Sequence, residues 1–327
     1  MIEIASEHHL RCPHGLDFFD DDTIIVANRE GDTSIFALPS EWIGGNCYEL
    51  NPLAVIRSED LMHSPGSVSL TKKFNDTYEA VICHNYCHNV TRHVIELGNS
   101  CTVKSSDVLL RKWLDTPDGV SVSREMRWIA ISNHGMQNVL IYRNTSDLNG
   151  MSDPVGMLRC SYFPHGLRFT ADDRFIFVAD AGSPFVHVYG QDGSSWRGVR
   201  NPLISIRVLN VDDFLRGRHN HLEGGPKGID INNSMDIFVT TCEYQPLIFF
   251  DLASISQNYL NGHENTIERP ADRNLSAALY GPRDGYCHDQ RALEIKYELH
   301  LLSRLKHAEV RALELEQRLN EDDKHSS

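Results

Sequence analysis

One short phrase recurs five times and limits what this chain can fold into. It reads Pro, any residue, a small residue, an aliphatic residue, any residue, an apolar residue. The copies are Pro13-His14-Gly15-Leu16-Asp17-Phe18, Pro65-Gly66-Ser67-Val68-Ser69-Leu70, Pro117-Asp118-Gly119-Val120-Ser121-Val122, Pro164-His165-Gly166-Leu167-Arg168-Phe169 and Pro226-Lys227-Gly228-Ile229-Asp230-Ile231. Successive prolines lie 52, 52, 47 and 62 residues apart. A unit of that length, repeated in phase, is the signature of propeller blades with variable outer loops.

Each phrase opens the same grammar. A polar turn such as Asp20-Asp21-Asp22 or Ala171-Asp172-Asp173-Arg174 precedes a β-branched and aromatic run: 23–27, 79–83, 128–132, 175–179 and 236–240. A second run follows a short loop, at 33–37, 90–95, 139–142, 186–189 and 247–250. Short apolar runs bounded by turn residues read as strands. A further strand precedes the next phrase at 53–57, 155–159 and 203–208, and more weakly near 103–110. Residues 1–252 therefore read as an all-β, five-bladed propeller, with six blades as the alternative. No outer strand clearly follows Phe250, and Ile2 to Ala5 precedes the first phrase as an outer strand would. The N-terminal strand is expected to complete the last blade beside 247–250 and close the ring, which removes open sheet edges.

Past the repeats the pattern changes. Residues 253–285 carry Pro270, Pro282 and several Gly and Asn residues and read as a linker. Residues 286–320 read as an amphipathic or coiled-coil helix: from about Asp289 to Asn320 the chain is rich in Leu, Glu, Arg, Ala and Lys without Gly or Pro, and Leu301, Leu305, Ala308, Ala312, Leu315 and Leu319 share one helical stripe. That stripe predicts either a coiled-coil seam that makes a homo-oligomer or an amphipathic helix lying on its own propeller; the seam is the expectation. Residues 321–327 read as a disordered tail.

Charge and cysteine usage narrow the function classes. A formal net charge of −14 repels phosphate backbones and anionic lipid, so neither nucleic acid nor a membrane surface is expected as partner. No long apolar run suggests a membrane span. The N-terminus has no basic and apolar signal pattern, and the 8 cysteines show no framework spacing, so a cytoplasmic protein with reduced thiols is expected.

In a propeller the first strand of each blade lines the central channel. The residue after each phrase proline should then sit at the channel mouth: His14, Gly66, Asp118, His165 and Lys227. A second ring is expected from the ends of the second strands: Asn28, His84, Asn133, Asp180 and Thr241. Two histidines and two carboxylates facing one cavity could bind one divalent metal ion, with His14, Asp118 and His165 as ligands; imidazole and carboxylate suit zinc, iron or manganese better than calcium. Lys227 argues the other way, since an ammonium beside a divalent ion is repelled, and it suits an anionic ligand with the histidines as donors or bases. Cys83-His84-Asn85-Tyr86-Cys87-His88 is a second dense cluster, but its spacing is not that of a zinc motif.

Pro117-Asp118-Gly119, and the stretch from Pro164-His165-Gly166 to Phe175-Ile176-Phe177-Val178-Ala179-Asp180, resemble blades of the gluconolactonase/regucalcin, paraoxonase and NHL-type propellers. The resemblance spans residues 13–250 as blade pattern. It implies a channel site in which the residue between Pro and Gly ligates a divalent, often calcium-like, ion. Asp118 has the residue type this implies; His14, His165, Lys227 and Gly66 depart from it, and those families usually carry six blades. Two functions follow as expectations. One is a binding or scaffold propeller, taking a small anionic molecule or a protein partner at the channel and self-associating through its helix. The other is a metal-dependent hydrolase, lactonase- or esterase-like, with its site in the channel.

Overall fold

The computed structural model describes residues 3–57, 61, 63–218, 222–255, 267–268, 313, 315–317 and 319. Five antiparallel sheets form the blades of a propeller. Blade one runs Pro13–Asp20, Thr23–Asn28, Thr33–Ala37 and Pro52–Ile56 from channel to rim. Blade two runs Pro65–Phe74, Thr77–His84, Asn89–Leu97 and Cys101–Leu110. Blade three comprises Pro117–Val122, Trp128–Asn133, Asn138–Arg143 and Gly156–Leu158, with Gly198–Arg200 added in parallel at its rim. Blade four comprises Pro164–Phe169, Phe175–Asp180, Phe185–Gly190 and Ile204–Arg207. Blade five has three described strands, Ile229–Ile231, Ile237–Thr240 and Ile248–Asp251.

The second strand of an inner blade packs against a neighbouring sheet on each face, and that of blade one against blade two on one face and Leu10, Leu38 and Leu50 on the other, which is why it reads as an unbroken apolar run. Every residue of Thr23–Asn28 and of Trp128–Asn133 is buried. Ile25 and Ala27 pack toward Tyr78, Ala80 and Ile82 of blade two, while Val81 and Cys83 pack toward Ile129 and Ile131 of blade three. Ala130 and Ile141 meet Ile176 and Val178, and Phe177 meets Phe238. Such clusters join blades one to two, two to three, three to four and four to five.

The phrase proline has a structural purpose. Pro13, Pro65, Pro117 and Pro164 pair with Asn28, His84, Asn133 and Asp180, and a register shift follows each. Proline has no N–H for the ladder, so it tolerates this irregularity, and a bulge re-aims the next side chain. The residue before the proline closes the top of the blade. The carbonyls of Cys12, Ser64, Thr116 and Phe163 accept the N–H of Arg29, Asn85, His134 and Ala181 at 2.9, 3.2, 3.2 and 2.9 Å. Cys12, Ser64 and Thr116 reach that geometry with φ of 53, 55 and 53°, a left-handed conformation that non-glycine residues adopt at a cost.

At four places the structure differs from expectation. The N-terminal strand, Glu3–Ala5, does not pair beside 247–250; it lies parallel to Cys47–Glu49. Burial explains the choice: Leu10, Leu38 and Leu50 cover Ile24, Val26 and Phe36, the face of blade one turned away from blade two. The outer strand of blade two, read as weak, is a ten-residue strand, Cys101–Leu110, whose polar half is largely exposed and so lacks an apolar signal. Within the expected linker, Ile267–Glu268 forms a strand on the rim of blade four, paired with Ser205 and Ile206. In the tail, Leu315 and Leu319 are buried against blades two and three of their own chain, with Glu316 Oε1 3.3 Å from Arg159 Nη1. These two leucines thus take the second of the two arrangements the stripe allows, packing on their own propeller. Leu301, Leu305, Ala308 and Ala312 lie outside the described residues.

Candidate functional site

The bulges place four phrase residues where the sequence predicts. His14, Asp118, His165 and Lys227 line one cavity of about 460 Å³ at the channel, together with Gly66 and Thr241. His14 Nδ1 lies 2.7 Å from the Gly66 carbonyl oxygen. A carbonyl only accepts, so Nδ1 carries the proton and the lone pair of the neutral ring is at Nε2. His165 Nε2 lies 2.9 Å from Asp118 Oδ2, and the His14 and His165 ring centroids are 5.3 Å apart.

Asp118 is the buried charge of the site, with a side chain 4 % exposed. Burial opposes its ionisation, yet His165 and His14 beside it hold its carboxyl well below the usual carboxylate range. Donors that need no imidazolium share the task. Asn85 Nδ2 donates to Oδ1 at 3.0 Å, and Arg29 Nη2 stands 3.8 Å from the same oxygen. Asn85 reaches Asp118 because residue 66 is glycine: a Cβ there would lie 2.1 Å from Asn85 Oδ1. Burial, first, and the nearby cationic groups lower His14 to about 4, so it is neutral at pH 7.

A second ion cluster adjoins the first. Glu223 Oε1 is 2.9 Å from His134 Nε2, and Glu223 Oε2 is 2.9 Å from Lys227 Nζ. Burial opposes the charge on Glu223, but His134 and Lys227 hold its carboxyl far below the usual range. The loop after a short helix, Val211–Arg216, brings Glu223 there. It is pinned by Gly224 and Gly225, whose N–H groups both donate to the Ala181 carbonyl at 3.0 and 2.9 Å. A Cβ at Gly225 would lie 2.0 Å from the Ser183 carbonyl oxygen.

Of the expected second ring, Thr241 lines the cavity, and Asn28, His84, Asn133 and Asp180 do not. Asn28 accepts from the Arg11 N–H and donates to the His9 and Asp32 carbonyls. Asn133 holds Asp115 and Trp113 in the same manner. Asp180 accepts from the N–H groups of Tyr162 and Phe163 and binds His187 at 3.2 Å. His84 is bonded to Thr91 inside blade two. Asn28, Asn133 and Asp180 thus tie blades one, three and four to their incoming loops. The residues one position later, Arg29, Asn85 and His134, lie just past the strand ends, the last two opening 3-10 turns, and reach the carboxylates of Asp118 and Glu223.

The cluster Cys83 to His88 does not converge on a point. Cys83 is buried, which pushes its thiol far above its usual value, and His88 Nδ1 accepts the Thr116 N–H at 2.8 Å. Among the described residues, His14, Asp118 and His165 form the one grouping able to hold a metal, with ligand atoms within 4.8 Å of one another. Two imidazoles and one carboxylate fit a transition ion and not calcium, which needs six to eight oxygens. Both Asp118 oxygens already accept N–H donors, and Arg29 repels a cation, so a metal would have to displace His165 from the carboxylate.

No protein-family profile and no curated protein matches the chain. Solved structures do share its fold. A nidogen/laminin complex structure superposes with a TM-score of 0.51 at 15% identity, covering 75% of this chain and 77% of that one. A functionally unknown protein from Desulfotomaculum acetoxidans DSM 771 gives 0.45 at 13% identity, covering 72% and 68%. Kuenenia stuttgartiensis hydrazine synthase gives 0.45 at 13% identity, covering 74% and 72%. At such identities the first likeness speaks for the β-propeller fold, and the other two carry no argument.

Proposed function

We propose that this chain is a binding propeller whose channel mouth takes a small anionic molecule with a carboxylate or phosphate group. The observation that carries this reading is Arg29. Its Nε is buried without a hydrogen-bond partner, and its guanidinium stops 3.8 Å short of Asp118, beyond hydrogen-bonding distance. An arginine fork held beside a cavity with unspent donors suits a planar or tetrahedral oxyanion. Lys227, 41% exposed, supplies a further cation beside the same space. Asp118 and Glu223 balance these cations and keep them in place until an anion arrives. The test is calorimetric titration of small carboxylates and phosphates. Saturable binding, weakened about tenfold or more by Arg29→Met, supports the reading; equal binding by that variant overturns it.

The likeness to lactonase-type blades supports a second reading, a metal-assisted hydrolase, through the grouping of His14, Asp118 and His165. Under it one transition ion per chain co-purifies, is lost from a His14→Ala/His165→Ala double variant, and lactone or ester turnover is lost with it. Metal-free protein that binds anions with undiminished affinity argues for binding alone.

A further inference from the structure

The ring is held together by a bond that repeats from blade to blade at the end of the channel away from the mouth. In the first three phrases the fifth residue accepts the N–H of the sixth residue in the next phrase. Asp17 Oδ2 accepts from Leu70 at 2.7 Å, Ser69 Oγ from Val122 at 3.0 Å and Ser121 Oγ from Phe169 at 3.3 Å. Between blades four and five, Arg168 Nε donates to Asp230 Oδ1 at 3.2 Å. The series then stops. The Phe18 N–H, which Asp230 would serve in a symmetric ring, is bonded to Asp17 Oδ1 at 2.9 Å. The Asp230 side chain is left 68% exposed.

The packing stops at the same place. Leu16 and Phe18 pair across blade one with Val26 and Ile24, on the face turned away from blade two, and are 50% and 53% exposed. On blade five, Phe238 faces blade four, so its neighbours Ile237 and Val239 face the other way, with Phe249 paired to Val239. Ile237, Leu247 and Phe249 are 42%, 62% and 66% exposed. Among the described residues no apolar cluster joins blade five to blade one. The outermost described strand of blade five, Ile248–Asp251, pairs on one side only, whereas each other blade has at least four strands. Among the described residues, an apolar face and a strand edge paired on one side only therefore adjoin one seam. Its rim is acidic: Asp20, Asp21, Asp22, Asp230, Asp236 and Asp251 are all exposed.

We propose that the seam between blades five and one receives an extended segment of a partner protein, apolar at alternate positions and flanked by Lys or Arg, which adds a strand to the Ile248–Asp251 edge. An unpaired edge supplies main-chain hydrogen bonds to any strand, and the adjoining face selects the alternate side chains. The acidic rim chooses the charge of the occupant. It also weighs against a second copy of this chain, because two acidic rims on molecules of net charge −14 would face each other.

The test is selection of a displayed random-peptide library on the full-length chain, with counter-selection on Phe249→Asp. Phe249 is exposed, and circular dichroism checks that the variant keeps the fold. The expected result is enrichment of peptides with alternating apolar residues and basic ends. They should slow hydrogen exchange at residues 248–251 and bind less tightly at high salt or to Asp236→Lys/Asp251→Lys. Three results overturn the proposal. One is no enrichment that depends on Phe249. Another is a concentration-dependent dimer abolished by Phe249→Asp, which gives the seam to a second copy. The third is a fall in melting temperature in Phe249→Asp with no peptide bound, which gives it to this chain's own residues. None of these touches the mouth, so the anion titration of wild type stands or fails separately.

Discussion

Gly119 shows how closely single residues set this site. A Cβ on it would lie 2.1 Å from the His165 carbonyl oxygen, a backbone atom that cannot swing aside. Gly119→Ala must therefore push blade four away from blade three and carry His165 off Asp118. The expected cost is about 1–3 kcal/mol of stability, as for other overpacked sites, together with weaker anion binding. Gly44→Ala, where a Cβ meets nothing within 4 Å, is the control and should change neither. Thermal unfolding and the titration check both. The phrase residues were legible because a five-fold pattern marks them. Arg29, Asn85, His134 and Glu223 were not. The first three sit one step beyond the aligned strand ends, in turns that the strand pattern does not describe, and Glu223 arrives on a loop outside the repeat.

Within single blades, buried polar rows hold the strands in register and make the fold sensitive to acid. In blade two His93 lies between Thr91 Oγ1 and Ser106 Oγ, at 2.8 Å from each, and His84 bonds Thr91 from the next strand. Burial, foremost, lowers His93 to about 4, against the pull of Asp107, and lowers His84 to about 3, with His93 and His63 adding repulsion. The unfolded chain binds protons at these residues near pH 6.5 and the folded chain does not. Stability is therefore highest above that pH and falls as pH drops from about 6.5 toward 4. His93 alone contributes on the order of 3 kcal/mol across that window. The melting temperature should fall steeply between pH 6.5 and 4, and His93→Gln, which keeps hydrogen-bonding capacity without the titration, should flatten the curve. A flat wild-type profile would show that the row opens to water. The sequence placed His84 at the channel because it ends a strand. That it turns into the blade depends on Thr91 and His93 of the neighbouring strand, and strand pairing is not written in one strand's residues.

At the scale of the molecule, the repeat gave the blade count, but not where the termini go. Placing Glu3–Ala5 beside blade five assumed that the ring's symmetry decides; the apolar face of blade one decides instead, through Leu10, Leu38 and Leu50. The tail follows the same logic. Leu315 and Leu319 are 4% and 5% exposed in the cluster with Leu109, Leu110, Leu148 and Tyr142, and Arg159 is paired with Glu316. A lone helix of this length is marginal in water, so the apolar shelf on blades two and three is what holds it. Those two leucines are then spent within their own chain and are not free to form a seam with a second one. Leu315→Ala and Leu319→Ala should each cost about 2 kcal/mol or more, the range of buried leucine truncations, and should not change the mass of the particle. A chain ending at residue 285 should melt at a lower temperature yet sediment with the same stoichiometry as the full-length protein. Removing the helix uncovers the shelf, so the truncated chain should also bind a hydrophobic dye that full-length protein excludes. A full-length species that is larger, and that the truncation converts to monomer without lowering its melting temperature, would return the stripe to the seam role and make the docked leucines incidental.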